Sequence, residues 1–317
     1  MNRRTALSYV AAMAGTGAAS ASAAATAAIA NAAEVTPRKG PGLLADAHRA
    51  SFIERADGTA LFFRDWGAGK PIVFVASAGL NSAMWAYQMV PMMQAGYRCV
   101  AFDRRGHGRS SDPGRGYDFD TLADDLATVI EMLELRELTL VGHSMGCGEI
   151  VRYLTRHGSG RVARIALLAP TTPFLLKTAD NPNGIDRAFF EKLRATWLLD
   201  YPRWLAENSR AFVMPDTSEQ LIQWGTILSL QTSMQAVIEC NVAVTETDFR
   251  SELPHIDRPT LIVHGTADKS AWLDLTGRPT ARLIPRSELK VYENAPHGLF
   301  LTHVERVNAD LLRFTHS

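Results

Sequence analysis

The sequence has no excess of charge of either sign: 33 lysines and arginines stand against 33 aspartates and glutamates. That balance leaves no net field to hold nucleic acid or an anionic membrane surface, and no basic run interleaved with aromatics takes its place. Cysteine is scarce. Cys99, Cys147 and Cys240 show no metal-ligand spacing, and an odd number leaves one unpaired whatever the others do. Cys99 lies in an apolar run and Cys147 between glycines, where small core-filling residues are expected. There is no phosphate-cradling glycine loop and no internal repeat. These absences point to a small-molecule partner, with neither metal nor cofactor required.

What is present begins with an unusual first 33 residues. Arg3 and Arg4 open the chain, and from Thr5 to Ala33 there is no charged residue, mostly alanine with serine, threonine and glycine. That composition predicts an export signal, and the arginine pair followed by Leu7 resembles the twin-arginine type, with Ala6 where an aromatic residue is usual. Cleavage could follow Ala30-Asn31-Ala32. So much alanine makes a poor spanning helix compared with about 20 strongly apolar residues. The mature protein is therefore expected to be periplasmic or secreted, without stable membrane association. Residues 34–49 read as a linker.

At 317 residues and 46% apolar, the chain is long enough and rich enough for a full core beyond this segment. Short apolar runs recur at Pro71 to Val75, Cys99 to Phe102, Leu138 to Val141, Ile165 to Leu168, Leu261 to Val263 and Leu289 to Tyr292. Continuous apolarity rather than alternation predicts strands buried on both faces. Between the second and third runs, Leu122, Leu126, Val129, Ile130 and Leu133 recur at helical spacing, and Asp118 or Asp120 could cap the start. Strand, helix, strand in series predicts an α/β fold whose mostly parallel sheet is flanked by helices. Ser51 to Arg55 and Leu61 to Arg64 around Asp57-Gly58 predict a hairpin, which makes the sheet mixed.

The period breaks over residues 171–252, where amphipathic segments near Phe189 to Leu199, Leu221 to Leu230 and Met234 to Val244 are not separated by strands. An all-helical cap is expected there, inserted into a core of residues 50–170 and 253–317. Trp197, Trp204, Trp224, Phe189, Met214 and Met234 are candidates to line an acyl pocket, although apolar residues on helices more often only pack one layer onto another.

The strongest chemical signal is Gly142-His143-Ser144-Met145-Gly146, directly after one apolar run and before the helix-like Glu149 to Leu154. A nucleophile on a sharp strand-to-helix turn needs small residues two positions either side, because side chains there would collide. The turn also aims Ser144 at a helix N-terminus, where the Met145 amide could hold a developing oxyanion. A serine hydroxyl is a weak nucleophile without a base, and the base needs an acid to fix its tautomer. In the loops after the last two apolar runs stand Asp268 and His297, in the order serine, acid, histidine. A second oxyanion donor is expected from Ala76 to Leu80, with the Ala78 amide favoured.

From about Ser51 to Phe314 the chain resembles the esterase and cofactor-free haloperoxidase (perhydrolase) branch of the α/β-hydrolases. The resemblance is carried by Phe102-Asp-Arg-Arg-Gly-His-Gly-Arg-Ser-Ser111, Gly116-Tyr-Asp-Phe-Asp-Thr-Leu-Ala-Asp-Asp125, the turn at Ser144, Thr247-Asp-Phe-Arg250 and Ala295-Pro-His-Gly298. It implies serine-dependent hydrolysis of carboxylic esters, and it makes Asp103, Arg104 and His107 scaffold rather than catalysts. Ala76-Ser77 departs from the family's usual His-Gly. A serine at the turn excludes relatives that use a carboxylate there for alkyl displacement. Perhydrolysis and lactone opening would use the same groups as ester hydrolysis. A non-catalytic binding protein on this fold is the alternative from another class, distinguished by resistance to a serine-directed phosphonate.

Overall fold

The computed structural model describes residues 51–316, so the export signal and linker expected over residues 1–49 lie outside the described residues. The strands are β1 (Phe52–Glu54), β2 (Ala60–Trp66), β3 (Pro71–Val75), β4 (Arg98–Phe102), β5 (Leu138–His143), β6 (Val162–Leu168), β7 (Thr260–Gly265) and β8 (Ser287–Tyr292). They form one sheet in the order β1-β2-β4-β3-β5-β6-β7-β8. β1 and β2 make the expected hairpin, turning at Gly58 with φ +83°. β2 lies antiparallel to β4, and every later pairing is parallel.

Burial explains the uninterrupted apolar runs. Every residue of β5 and β7 is buried, and β3 sends Val73 and Val75 into one hydrophobic cluster and Ile72 and Phe74 into another. The first cluster is closed by α2 (Phe119–Met132) and α3 (Met145–His157), through residues such as Leu122, Val129 and Ile150. The second is closed by α1 (Ala86–Gln94) and α9 (Val304–His316), through Met89, Met92, Val307 and Leu311. Of the two candidate caps for α2, Asp118 is the one used, its side chain accepting from the Thr121 amide at 2.9 Å; Asp120 pairs instead with Arg152 and Arg156.

Between β6 and β7 the chain carries α4 (Arg187–Asn208), α5 (Glu219–Ser229) and α6 (Met234–Glu246). The first part of this insertion departs from the all-helical expectation. Over residues 171–186 the backbone is irregular, with isolated bridges Leu176 to Ile185 and Thr178 to Asn181. Pro182 and Gly184 account for it: proline removes a donor, and a Cβ on Gly184 would lie 2.6 Å from the Leu176 backbone. α7 (Gly277–Leu283) and α8 (Leu299–Thr302) complete the helices. Among the described residues no helix is long and apolar enough to cross a membrane. All three cysteines are free and buried, and burial pushes the thiols of Cys99 and Cys240 up to about 12.

Candidate active site

The turn after β5 is as tight as its glycines imply. Ser144 sits at φ 55°, ψ −116°, a conformation that costs on the order of 1–3 kcal/mol in an L-residue. Its amide donates to the Leu168 carbonyl at 3.0 Å, anchoring the turn to β6. A Cβ on Gly142 would lie 2.8 Å from the Gly146 backbone, and one on Gly146 would lie 2.4 Å from the Val75 carbonyl oxygen. α3 begins at Met145, directly after Ser144 and four residues earlier than the helix-like run of the sequence. Met145-Gly-Cys-Gly carries little helix propensity, so packing against the sheet starts this helix rather than its residues.

β3 neighbours β5 with Val75 opposite Gly142, which brings the loop Ala76 to Leu80 alongside Ser144. Arg104 holds this loop from behind. Its guanidinium donates to the carbonyls of Ala76 (2.7 Å) and Ser77 (3.1 Å) and is paired with Glu149 on α3. Arg104 is 2% exposed and Glu149 not at all, so the pair spans the interior between loop and helix. His107 holds the next residue: its Nδ1–H donates to the Arg105 carbonyl (2.9 Å), leaving Nε2 to accept from the Gly79 amide (3.3 Å). Burial and the neighbouring Arg104 push His107 down to about 3, so it stays neutral. The amides of Ala78 and Met145 have no hydrogen-bond acceptor among the described residues. Ser77, where the family usually has glycine, is accommodated at negative φ, its amide donating to Met84 Sδ (3.3 Å).

Asp268 and His297 lie beyond the C-terminal ends of β7 and β8, the side on which parallel sheets place their sites. The two loops are joined directly: Ala267 donates to the Ala295 carbonyl (3.1 Å), and a Cβ on Gly265 would lie 2.0 Å from that same oxygen. Asp268 Oδ2 accepts from His297 Nδ1 at 2.7 Å, and Oδ1 accepts from the amides of Ser270 and Ala271, both at 2.8 Å. Burial alone would raise this carboxyl, but the charge of His297 and hydrogen bonds from His264 and His297 outweigh it and hold the group well below the usual range. With Nδ1–H committed to Asp268, Nε2 of His297 is left as an acceptor. Ser144 Oγ makes no side-chain hydrogen bond among the described residues, a common state for such a pair before substrate arrives.

Two histidines that no spacing marked out complete the arrangement. His143, fully buried, donates Nε2–H to the His297 carbonyl at 2.9 Å and packs its ring 4.8 Å from that of His297. Burial and His297 push it down to about 3. His264, also fully buried, places Nε2 2.7 Å from the Ala271 carbonyl and 3.1 Å from Asp268 Oδ2. The insertion reaches the same region, since the Gly298 amide donates to the Phe212 carbonyl (2.7 Å) and the Phe212 ring lies 5.3 Å from His297. Of the candidate pocket residues, Trp197 and Trp204 pack together, Trp224 lies against the core beside Tyr87, and Phe189 and Met234 are exposed. A cavity of ≈ 520 Å³ borders the outer side of Asp268 near Asn183 and Trp272; neither Ser144 nor His297 lines it. Among the described residues no cluster of His, Cys, Asp or Glu is arranged to hold a metal ion.

The arrangement can therefore present a hydroxyl at a helix N-terminus, an imidazole oriented by a carboxylate, and two amides without acceptors among the described residues. The model of a family described as alpha/beta hydrolase fold matches residues 70–304. The chain is 38% identical to the non-heme chloroperoxidase CPO-A1 of Kitasatospora aureofaciens, over 81% of this chain and 96% of the relative. It is 34% identical to the bifunctional esterase/perhydrolase DCH of Acinetobacter calcoaceticus, over 84% and 99%. Among solved structures, the esterase EaEST from Exiguobacterium antarcticum superposes with a TM-score of 0.82 at 32% identity, over 84% of this chain and 99% of that one.

Proposed function

The chain belongs to the alpha/beta hydrolase family, and we propose that it hydrolyses carboxylic esters of small molecules through an acyl-enzyme on Ser144. What supports the reading is the 2.7 Å His297–Asp268 pair, tied to the residue before Ser144 by the 2.9 Å His143–His297 hydrogen bond, together with the amides of Ala78 and Met145, which have no acceptor among the described residues. In this reading Ser144 Oγ attacks the ester carbonyl while His297 Nε2 takes its proton. Asp268 keeps Nδ1–H of His297 in place and stabilises the imidazolium. The negative charge that develops on the carbonyl oxygen is met by the two amides, each worth roughly 3–4 kcal/mol in the transition state. The alcohol leaves with the proton from His297, and water then repeats the sequence on the acyl-enzyme.

The names of the relatives favour a second reaction of the same acyl-enzyme. If hydrogen peroxide replaces water, its oxygen attacks the acyl carbon, Ser144 is released with a proton, and a peracid forms. The peracid then oxidises halide and returns the carboxylic acid. Residues 171–252 would serve as the cap over either reaction, and residues 1–33 as the signal for export by the twin-arginine route.

Hydrolysis of p-nitrophenyl esters from acetate to octanoate, by the full chain and by Ser144→Ala, tests the proposal. Activity that disappears in the variant, with a serine-directed phosphonate labelling Ser144 alone, is the expected result. Turnover that survives in Ser144→Ala overturns it. Bromination dependent on peroxide and a carboxylic acid reads out the second reaction.

A further inference from the structure

α4 is broken where it passes the site. At Asp200 the backbone leaves helical geometry (φ −162°, ψ 81°), Pro202 follows, and Asp200 Oδ1 accepts from the Arg203 amide at 3.0 Å. The second half thus restarts with its own cap, and Tyr201 is its first residue. The Tyr201 ring is held on two sides, stacked on Trp204 (6.2 Å, 9° between planes) and edge-on to Trp197 (5.9 Å). Such packing leaves the phenol few orientations to choose from.

The hydroxyl points at the oxyanion loop: a Cβ on Gly79 would lie 3.4 Å from Tyr201 Oη. Gly79 is the neighbour of Ala78, and His107 already holds its amide. The Tyr201 ring is largely buried, while its hydroxyl makes no hydrogen bond among the described residues and stays open to solvent at its tip. Trp197 Nε1, in the same cluster, is buried without an acceptor. A buried donor left without an acceptor costs about 1–3 kcal/mol, which applies to the indole; the phenol, open at its tip beside Gly79, is free to donate to a bound molecule. Burial pushes the phenol up to about 12, which keeps it a donor across the neutral range.

We infer that Tyr201 Oη is a substrate contact that donates a hydrogen bond to an oxygen on the acyl chain, so that the enzyme prefers acyl groups carrying an ether, hydroxyl or keto oxygen close to the ester over all-carbon chains. The inference rests on the acyl-enzyme reading. In that reading the carbonyl oxygen has the amides of Ala78 and Met145, and the leaving oxygen is served by His297. The phenol stands on the oxyanion-loop side, so the oxygen within its reach belongs to the acyl portion.

Methoxyacetate and butyrate esters of p-nitrophenol differ by an oxygen in place of one methylene. The ether activates the carbonyl equally for any enzyme, so comparing the ratio of kcat/KM values in wild type and Tyr201→Phe cancels that effect, and phenylalanine keeps the ring stack. The expected result is that Tyr201→Phe lowers the methoxyacetate-to-butyrate ratio about tenfold, the worth of one hydrogen bond. An unchanged ratio means that Tyr201 only packs the insertion, and overturns the inference while leaving the acyl-enzyme intact. Wild-type protein inert on both esters, or turnover surviving in Ser144→Ala, overturns the underlying reading and this contact with it.

Discussion

His143 Nε2 stands 2.9 Å from the carbonyl oxygen of His297, so the residue beside Ser144 holds the backbone of His297. A carbonyl only accepts, which makes Nε2 the protonated nitrogen of His143. His143→Phe keeps an aromatic ring among Phe212, Phe300 and His297 but leaves that carbonyl unpaired. The expected cost is about 1–3 kcal/mol of stability. On the proposed reaction, kcat should fall while KM changes little, because the displaced group is the base. Steady-state kinetics beside urea unfolding would show it, and a variant with unaltered kcat would remove His143 from the positioning of His297.

Gly146 allows β3 and α3 to approach. In Gly146→Ala the new methyl would meet the Val75 carbonyl at 2.4 Å and the Ala76 carbonyl at 2.8 Å, both backbone atoms that cannot swing aside. Overpacking of this kind costs roughly 1–3 kcal/mol. It would also push the oxyanion loop away from Ser144, so phosphonate labelling should slow along with the lower melting temperature. A destabilised variant with wild-type labelling would mean that the loop tolerates the shift.

The buried Arg104–Glu149 pair separates stability from positioning. Arg104→Met leaves Glu149 buried without a countercharge and should cost about 3–5 kcal/mol. Arg104→Met combined with Glu149→Leu removes both charges and should recover most of that loss. The carbonyls of Ala76 and Ser77 still lack their donor in the double variant, so kcat should stay depressed on the order of a hundredfold. Melting temperature and kcat measured on the same three proteins decide it; a double variant regaining both would show that the loop is held by other contacts.

Stability should fall with pH below neutrality, because His107 and His143 are buried neutral. His107 and His143 have folded values of about 3 against an ordinary 6.5, so the stability they lend is complete above 6.5 and is lost as pH falls toward 3. Glu149 has the opposite sign: burial raises it from 4.5 to about 7, and its contribution is complete below 4.5 and lost as pH rises through 7. Between pH 6.5 and 4.5 the lowered histidines, His303 among them, outweigh the raised carboxyls of Glu149 and Asp125, so stability is lost as pH falls. Urea unfolding across this window should follow that slope, and His143→Gln should flatten it. An equally steep profile in the variant would assign the slope to other groups.

Local signals carried most of the fold. The hairpin around Gly58 and β3 to β7 stand where their apolar runs and turn residues put them, because burial leaves a pattern within a few residues; β8 also forms where expected, but at the sheet edge only its Tyr292 is buried, so it is not the doubly covered strand its apolar run predicts. The tightness of the turn at Ser144 was legible for the same reason, since Gly142 and Gly146 flank it. Distant relationships were not. Arg104 and Glu149 are 45 residues apart, and His143 and His297 are 154 apart; nothing near either partner records the other. The start of α3 was hidden by two glycines that sheet packing overrides. The part of α4 beyond the break at Asp200 lies past the expected segment Phe189 to Leu199, and the exposure of Phe189 and Met234 depends on which face of each helix the rest of the fold covers.

The union of the Asp268 and His297 loops through Gly265, Ala267 and Ala295 divides the site unequally. Carboxylate and imidazole ride on one body, the β7–β8 edge of the sheet, while the hydroxyl rides on β5 with β6 intervening. On the proposed reaction, breathing of the sheet across β6 acts on the gap between serine and histidine, within the limit set by the His143–His297 hydrogen bond, and leaves the imidazole–carboxylate contact untouched. The tautomer is a fixed property of one edge, and the proton-transfer distance is the adjustable one.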